Sequence, residues 1–164
     1  MHIEPGVVNE AKMVLSYATA AGVTGLTIKY ASQTLHQSKS AAFVLRFMIA
    51  TLLTVFFFEV LPKFPVGVSE VHFIFGSTLF LLFGAASAAI GLAAGLAIQG
   101  LILSPADLPQ YFMNTTTLLF PLYAISWVAG RIIIPNTAYV DCTYMQVLKP
   151  VSYTHLTLPT TPYV

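Results

Sequence analysis

The sequence predicts an all-α fold: a polytopic integral membrane bundle with about four to five hydrophobic helices. Three observations carry that prediction. Hydrophobic residues make up 57% of the 164 positions and charged residues only 8%, whereas soluble domains carry about a quarter charged residues. Mean hydropathy is +0.80. From Val71 to Ala106 there is no Asp, Glu, Lys or Arg, and a small soluble core that buried so long a stretch would have too little polar surface to cover it. Lipid is therefore the predicted solvent.

The same composition removes other classes. A net charge of +1 offers no basic stripe for nucleic acid. The lone Cys142 can form no internal disulfide and lacks the paired spacing of a zinc site. The opening Met1-His2-Ile3-Glu4-Pro5-Gly6 has no basic n-region, so it does not read as a removable signal and the N-terminus is predicted to be retained.

Taken in order, the first span runs from about Val7 to Tyr30, since about 20 residues cross the hydrocarbon core. A polar loop, Ser32 to Ser40, follows among Lys29, Lys39 and Arg46, and the positive-inside rule makes it cytoplasmic and the N-terminus external. The second span, about Ala41 to Leu61, returns outward to a loop broken by Pro62 and Pro65 and ending Val68-Ser69-Glu70. His72 to Leu103 is too long for one span and short for two, with Gly84-Ala85-Ala86-Ser87 as the natural break. A hairpin there leaves Ser104 to Met113 outside and, after a last span from Asn114 to Ile134, Arg131 inside; one kinked helix would reverse both. The positive-inside rule favours the hairpin. The spans place the protein in the cell (inner or plasma) membrane, in contact with lipid.

Small residues recur at helix-packing spacing: Ala18 and Gly22, Ala21 and Gly25, Gly91 and Gly95, Ala93 and Ala97. Such pairs let helix backbones approach closely in lipid. They serve either packing within this chain or the docking of another membrane subunit. Two regions are expected, a transmembrane metal-binding domain over 1–149 and an irregular tail over 150–164. The tail is Thr-, Pro- and Tyr-rich without helical period, and reads either as disordered or as non-native sequence following a truncation.

The chemistry sits at the start. The amine of Met1, the deprotonated amide nitrogen of His2 and a ring nitrogen of His2 can close fused five- and six-membered chelate rings on one metal ion. Planar nitrogen coordination suits Ni(II) or Cu(II), and imidazole also serves Co and Zn. A fourth ligand must come from elsewhere, and His72 is the leading candidate because it follows the external loop. His36 lies in the cytoplasmic loop and His155 in the tail. Glu70, Asn114 and Thr115 are candidates to hold an imidazole or accept its second N–H. Glu4 and Glu59 could attract cations to the outer mouth, although an acid near a span end is as often an interface residue. Taken singly, His2 and His72 also read as an ordinary terminal residue and a helix-start residue hydrogen-bonded to Glu70.

At these residues the chain resembles the cobalt/nickel substrate-binding subunit of energy-coupling-factor ABC transporters, the CbiM/NikM type. The resemblance rests on Met1-His2-Ile3 with Pro5-Gly6, on Val71-His72-Phe73, on the small-residue segment from Gly76 to Gly100 and on Asn114, and covers about Met1 to Lys149. It implies a permease subunit that captures Co(II) or Ni(II) as transported ligand through Met1, His2 and His72, and that needs no cofactor of its own. It also implies a transmembrane coupling subunit and cytoplasmic ATPase subunits as partners. No GxxxxGK[ST] loop occurs in the sequence, so ATP hydrolysis is expected elsewhere. Two departures stand: Phe73, Ile74 and Phe75 precede Gly76-Ser77 where the family is Gly-Ser-rich, and the family's further C-terminal helices are missing. The alternative is a membrane assembly subunit without a metal ligand. An intramembrane enzyme ranks last, because the spans offer no Ser/His/Asp set, no His-Glu-x-x-His and no paired carboxylates.

Overall fold

The structure is a computed structural model that describes residues 2–3, 9–37, 40–62, 64–66, 69–71, 75–132, 143–146 and 148. It is an all-α membrane bundle, with one small sheet at one end. The helices are α1 (Glu10–Gln37), α2 (Ser40–Glu59), α3 (Gly76–Phe83), α4 (Ala85–Ile98) and α5 (Tyr111–Ile132). α4 continues into a π-helical turn, Gln99–Leu103, and a 3₁₀ helix, Pro105–Gln110, leads into α5. Three short strands, β1 (His2–Ile3), β2 (Phe64–Val66) and β3 (Ser69–Val71), form the sheet.

Two helical stretches, Ser40–Glu59 and Ala85–Leu103, are long and apolar enough to cross a membrane. Their burial differs, 22% for the first and 56% for the second. α4 is therefore the central helix, in contact with α1, α2, α3 and α5, while α2 turns Leu45, Met48, Leu52 and Phe56 outward. Val14, Leu15 and Ile28 of α1 and Phe120 and Trp127 of α5 are likewise exposed. So much outward apolar surface on every flank is what lipid, not water, tolerates.

Helix directions follow from the contacts. A Cβ built on Gly91 would lie 2.5 Å from the Ala50 Cβ, and one on Gly95 would lie 2.6 Å from the Thr54 Cγ2. Position 91 is thus level with 50 and 95 with 54, so α2 and α4 run parallel at close approach. Thr19 Oγ1 meets Thr116 Oγ1 at 3.4 Å and Thr27 Oγ1 meets the Tyr123 hydroxyl at 2.6 Å, so α1 and α5 are also parallel. α1 and α2 are antiparallel across residues 38 and 39. One end of the bundle therefore gathers the start of α1, the ends of α2 and of the π turn, the 3₁₀ helix and the sheet. The other carries the end of α1 with Lys29 and His36, the start of α2 with Arg46, and Arg131, whose guanidinium lies 3.5 Å from the centre of the Trp127 ring.

This arrangement selects the hairpin over the single kinked helix. α3 is only 8 residues long, about 12 Å at 1.5 Å per residue, and a Cβ on Gly76 would lie 4.0 Å from Leu92 Cδ1. Gly76 and Leu92 stand eight positions either side of Gly84, so α3 folds back along α4 as a half-length helix. Gly84 makes the reversal with φ 82° and ψ 165°, a conformation essentially restricted to glycine. Since nothing lies within 4 Å of a Cβ there, the cost of a side chain is backbone strain alone. Gly84→Ala is expected to destabilise by about 1–3 kcal/mol, read as a lower thermal midpoint in detergent. Gly25→Ala, on an open helical position, should raise it or leave it unchanged.

Several boundaries differ from the sequence reading. α1 runs on to Gln37, taking in much of the predicted polar loop, and there the Ser32 and Thr34 hydroxyls are satisfied within the helix by donating to the carbonyls of Lys29 and Tyr30 at 2.8 Å. At its start Asn9 caps the helix, its Oδ1 accepting from the Ala11 N–H at 2.9 Å. α5 begins at Tyr111 rather than Asn114, and the Ser104 to Met113 loop is mostly 3₁₀ helix. The loop after α2 is strand: β3 pairs antiparallel with β2 on one side and with β1 on the other. Pro65 sits in β2, an edge strand, where a missing N–H is tolerated. The tail over 150–164, with His155, and Cys142 lie outside the described residues.

Candidate metal centre

The register of the small sheet sets which candidate residues face one another. His2 stands opposite Glu70 and Ile3 opposite Ser69, while on the far side of β3 Pro65 stands opposite Glu70. The N-terminus is thereby paired to the strand that leads, one residue past Val71, into His72. β1 also packs beside the 3₁₀ helix. Met1 and His72 themselves lie outside the described residues.

Glu70, Asn114 and Thr115 are brought to the same end. Glu70 is the cross-strand partner of His2, and Asn114 and Thr115 sit in the first turns of α5, after the 3₁₀ helix. Both α5 side chains are buried, and Asn114 Oδ1 and Thr115 Oγ1 have no hydrogen-bond partner. A buried polar atom left unpaired costs about 1–3 kcal/mol. His36 ends α1 at the opposite end of the bundle, apart from this cluster. Among the described residues no three His, Cys, Asp or Glu side chains come together. Glu4 lies outside the described residues; Glu59 is the last residue of α2 at the sheet end.

Backbone strain adjoins the site. Phe75 has φ 49° and ψ 32°, a left-handed conformation unusual for a bulky residue, and its ring lies 5.1 Å from that of Phe57 at an interplanar angle of 54°. The strained turn sits between the segment carrying His72 and the start of α3. It occupies the place where the sequence departs from the Gly-Ser-rich pattern.

Sequence reasoning missed two features here. Gln99 is 1% exposed with an unpartnered Oε1, at the first residue of the π turn, where the Ser104 N–H reaches back to its carbonyl at 2.8 Å. The signal was present, because Gln99 is the only amide side chain between Val71 and Ala106. The second is a recess between the π turn, the 3₁₀ helix and α5, lined by Leu96, Gly100, Asp107, Leu108, Tyr111 and Asn114. It is assembled from three segments whose proximity no local pattern announces.

Compared with known proteins, residues 2–155 match the sequence model of a family described as the cobalt uptake substrate-specific transmembrane region, CbiM. No curated protein and no solved structure matches the chain.

Proposed function

The chain belongs to the family of cobalt uptake substrate-specific transmembrane regions, a transport component and not an enzyme, and we propose that it is the metal-capturing subunit of an importer of the energy-coupling-factor ABC type. Co(II) or Ni(II) is its transported substrate, held by the Met1 amine, the His2 amide and ring nitrogens, and His72. The observation that carries this reading is the pairing of β1 with β3, which puts His2 opposite Glu70 at the entry to the His72 segment. Glu70, as cross-strand partner, and Asn114 and Thr115, with their unpaired buried oxygens, are the acceptors that fix the imidazole orientation. Intrinsic affinity rises from Co(II) to Ni(II) to Cu(II), so selection between them depends on supply and cage geometry. Equilibrium binding of Co(II) and Ni(II) to detergent-purified protein with its native N-terminus is the test. No binding by well-folded protein would leave the assembly-subunit reading.

In this reading α1, α2, α4 and α5 cross the cell membrane and α3 enters only part-way. The end carrying Lys29, Arg46 and Arg131 faces the cytoplasm by the positive-inside rule, which puts the sheet and the N-terminus outside. Energy comes from a transmembrane coupling subunit and cytoplasmic ATPase subunits. The four small residues of α1 support a docking role: Ala18, Ala21, Gly22 and Gly25 are all exposed, and a Cβ on either glycine meets nothing within 4 Å. Gly91 and Gly95, by contrast, are consumed by packing on α2. Gly22→Leu is therefore expected to leave the thermal midpoint of the isolated protein unchanged while lowering co-purification of the coupling subunit several-fold. Equal recovery of the complex from both proteins would remove α1 as the docking face.

A further inference from the structure

We propose that the recess under the 3₁₀ helix is a cation-loading station, in which Asp107 at the mouth and Asn114 at the floor hold a hydrated divalent metal ion before it reaches the N-terminal nitrogen donors. The walls come from Leu96 and Gly100 of the central helix and its π turn, and from Leu108 and Tyr111. There is room in it for about one water molecule, so the recess takes one aqua ligand, or the ion itself, while the rest of the hydration shell stays at the mouth. Asn114 is 2% exposed and its Oδ1 has no partner. The one hydroxyl in the wall does not serve it, because Tyr111 donates to the Ala93 carbonyl at 3.1 Å. Gly100 keeps the space open: a Cβ there would come within 3.3 Å of Leu108 Cδ1.

A carboxylate and an amide oxygen are ligand types for oxygen-seeking divalent ions and for the water bound to them. They bind weakly beside a nitrogen chelate, which is what a station upstream of one requires. The position is right for that order, since β1, with His2, packs beside the 3₁₀ helix that carries Asp107. Loading through oxygen ligands lets a hexaaqua ion lose water stepwise rather than in one exchange at the nitrogen site. The proposal rests on the capture reading for where the ion goes next, but not for the binding of the ion itself.

The test uses the full chain in detergent and Mn(II), an ion that prefers oxygen ligands and is read by electron paramagnetic resonance. It is run on protein with its native N-terminus and on protein with two added N-terminal residues, which remove the Met1 amine from the nitrogen chelate. Both are expected to bind Mn(II) at one site. Asp107→Asn, half-buried and isosteric, should weaken that binding at least ~10-fold, and Asn114→Leu should remove it. The Ni(II) association rate should fall several-fold in Asp107→Asn with the equilibrium affinity unchanged. No Mn(II) bound, binding unaltered by Asp107→Asn, or binding lost on N-terminal extension would each overturn the station. Mn(II) binding that depends on Asp107 in a protein that captures neither Ni(II) nor Co(II) would instead uphold the station and sink the capture reading.

Discussion

Two residues added ahead of Met1 are expected to abolish tight Ni(II) and Co(II) binding while leaving the thermal midpoint of the metal-free protein unchanged. The added residues convert the Met1 amine into an amide, so the five-membered chelate ring loses its terminal donor; a single added residue is avoided, because a histidine third from a free amine is itself a four-nitrogen chelate for Ni(II). Loss of an outer hydrogen-bonding partner alone typically costs about 10–100-fold in metal affinity. Loss of a donor atom should exceed about 100-fold, and His72→Ala should match it. Glu70→Gln, opposite His2 in the ladder, should fall in the lower range. Amine and amide must both shed protons to bind metal, so affinity should rise with pH and fall as the solution is acidified. Calorimetric titration of the four proteins at two pH values checks all of this. Binding that survives the two added residues would place the metal elsewhere, and the shared loss in extended and His72→Ala proteins would assign the ligands.

The features legible in the sequence are those that depend on local chemistry. The break at Gly84 could be read because a reversal between two apolar helices needs a backbone that only glycine takes easily, and Gly84 is followed by the small residues such a turn requires. Gly91 and Gly95 could be read as packing positions from their spacing, but not their partner. The same spacing in α1 leads outward instead, and only the neighbour distinguishes the two. The sheet was not legible, since β2 and β3 are three residues each, Pro65 interrupts the pattern of one of them, and β1 pairs across more than sixty residues of intervening chain. Asn114 could be singled out as a polar residue following the predicted external loop, whereas its unpaired oxygen and the recess it lines depend on three segments meeting at one end of the bundle.

Gly91→Leu should be the most disruptive substitution in the bundle outside the metal site. A Cβ at position 91 would stand 2.5 Å from the Ala50 Cβ, 2.9 Å from the Ala50 carbonyl carbon and 3.0 Å from the Thr51 nitrogen, so even Gly91→Ala pushes against backbone that no rotamer change can move. Overpacking of this kind costs about 1–3 kcal/mol for small additions, and in lipid the loss falls on the main force that holds helices together, close van der Waals packing. Two of the contacts are to backbone, so Ala50→Gly should rescue Gly91→Ala only in part. Full rescue would mean that the helices separate freely and that α2 and α4 are not locked at this crossing. Thermal midpoints of Gly91→Ala, Gly91→Leu and the Ala50→Gly/Gly91→Ala pair, beside Gly22→Leu on the open face of α1, separate these outcomes. A loss confined to position 91 would tie the close parallel contact of α2 and α4 to folding. It would leave the small residues of α1 free for the partner. Metal binding should then fail in Gly91→Leu together with folding, because the π turn and 3₁₀ helix that carry the recess are held by the same central helix.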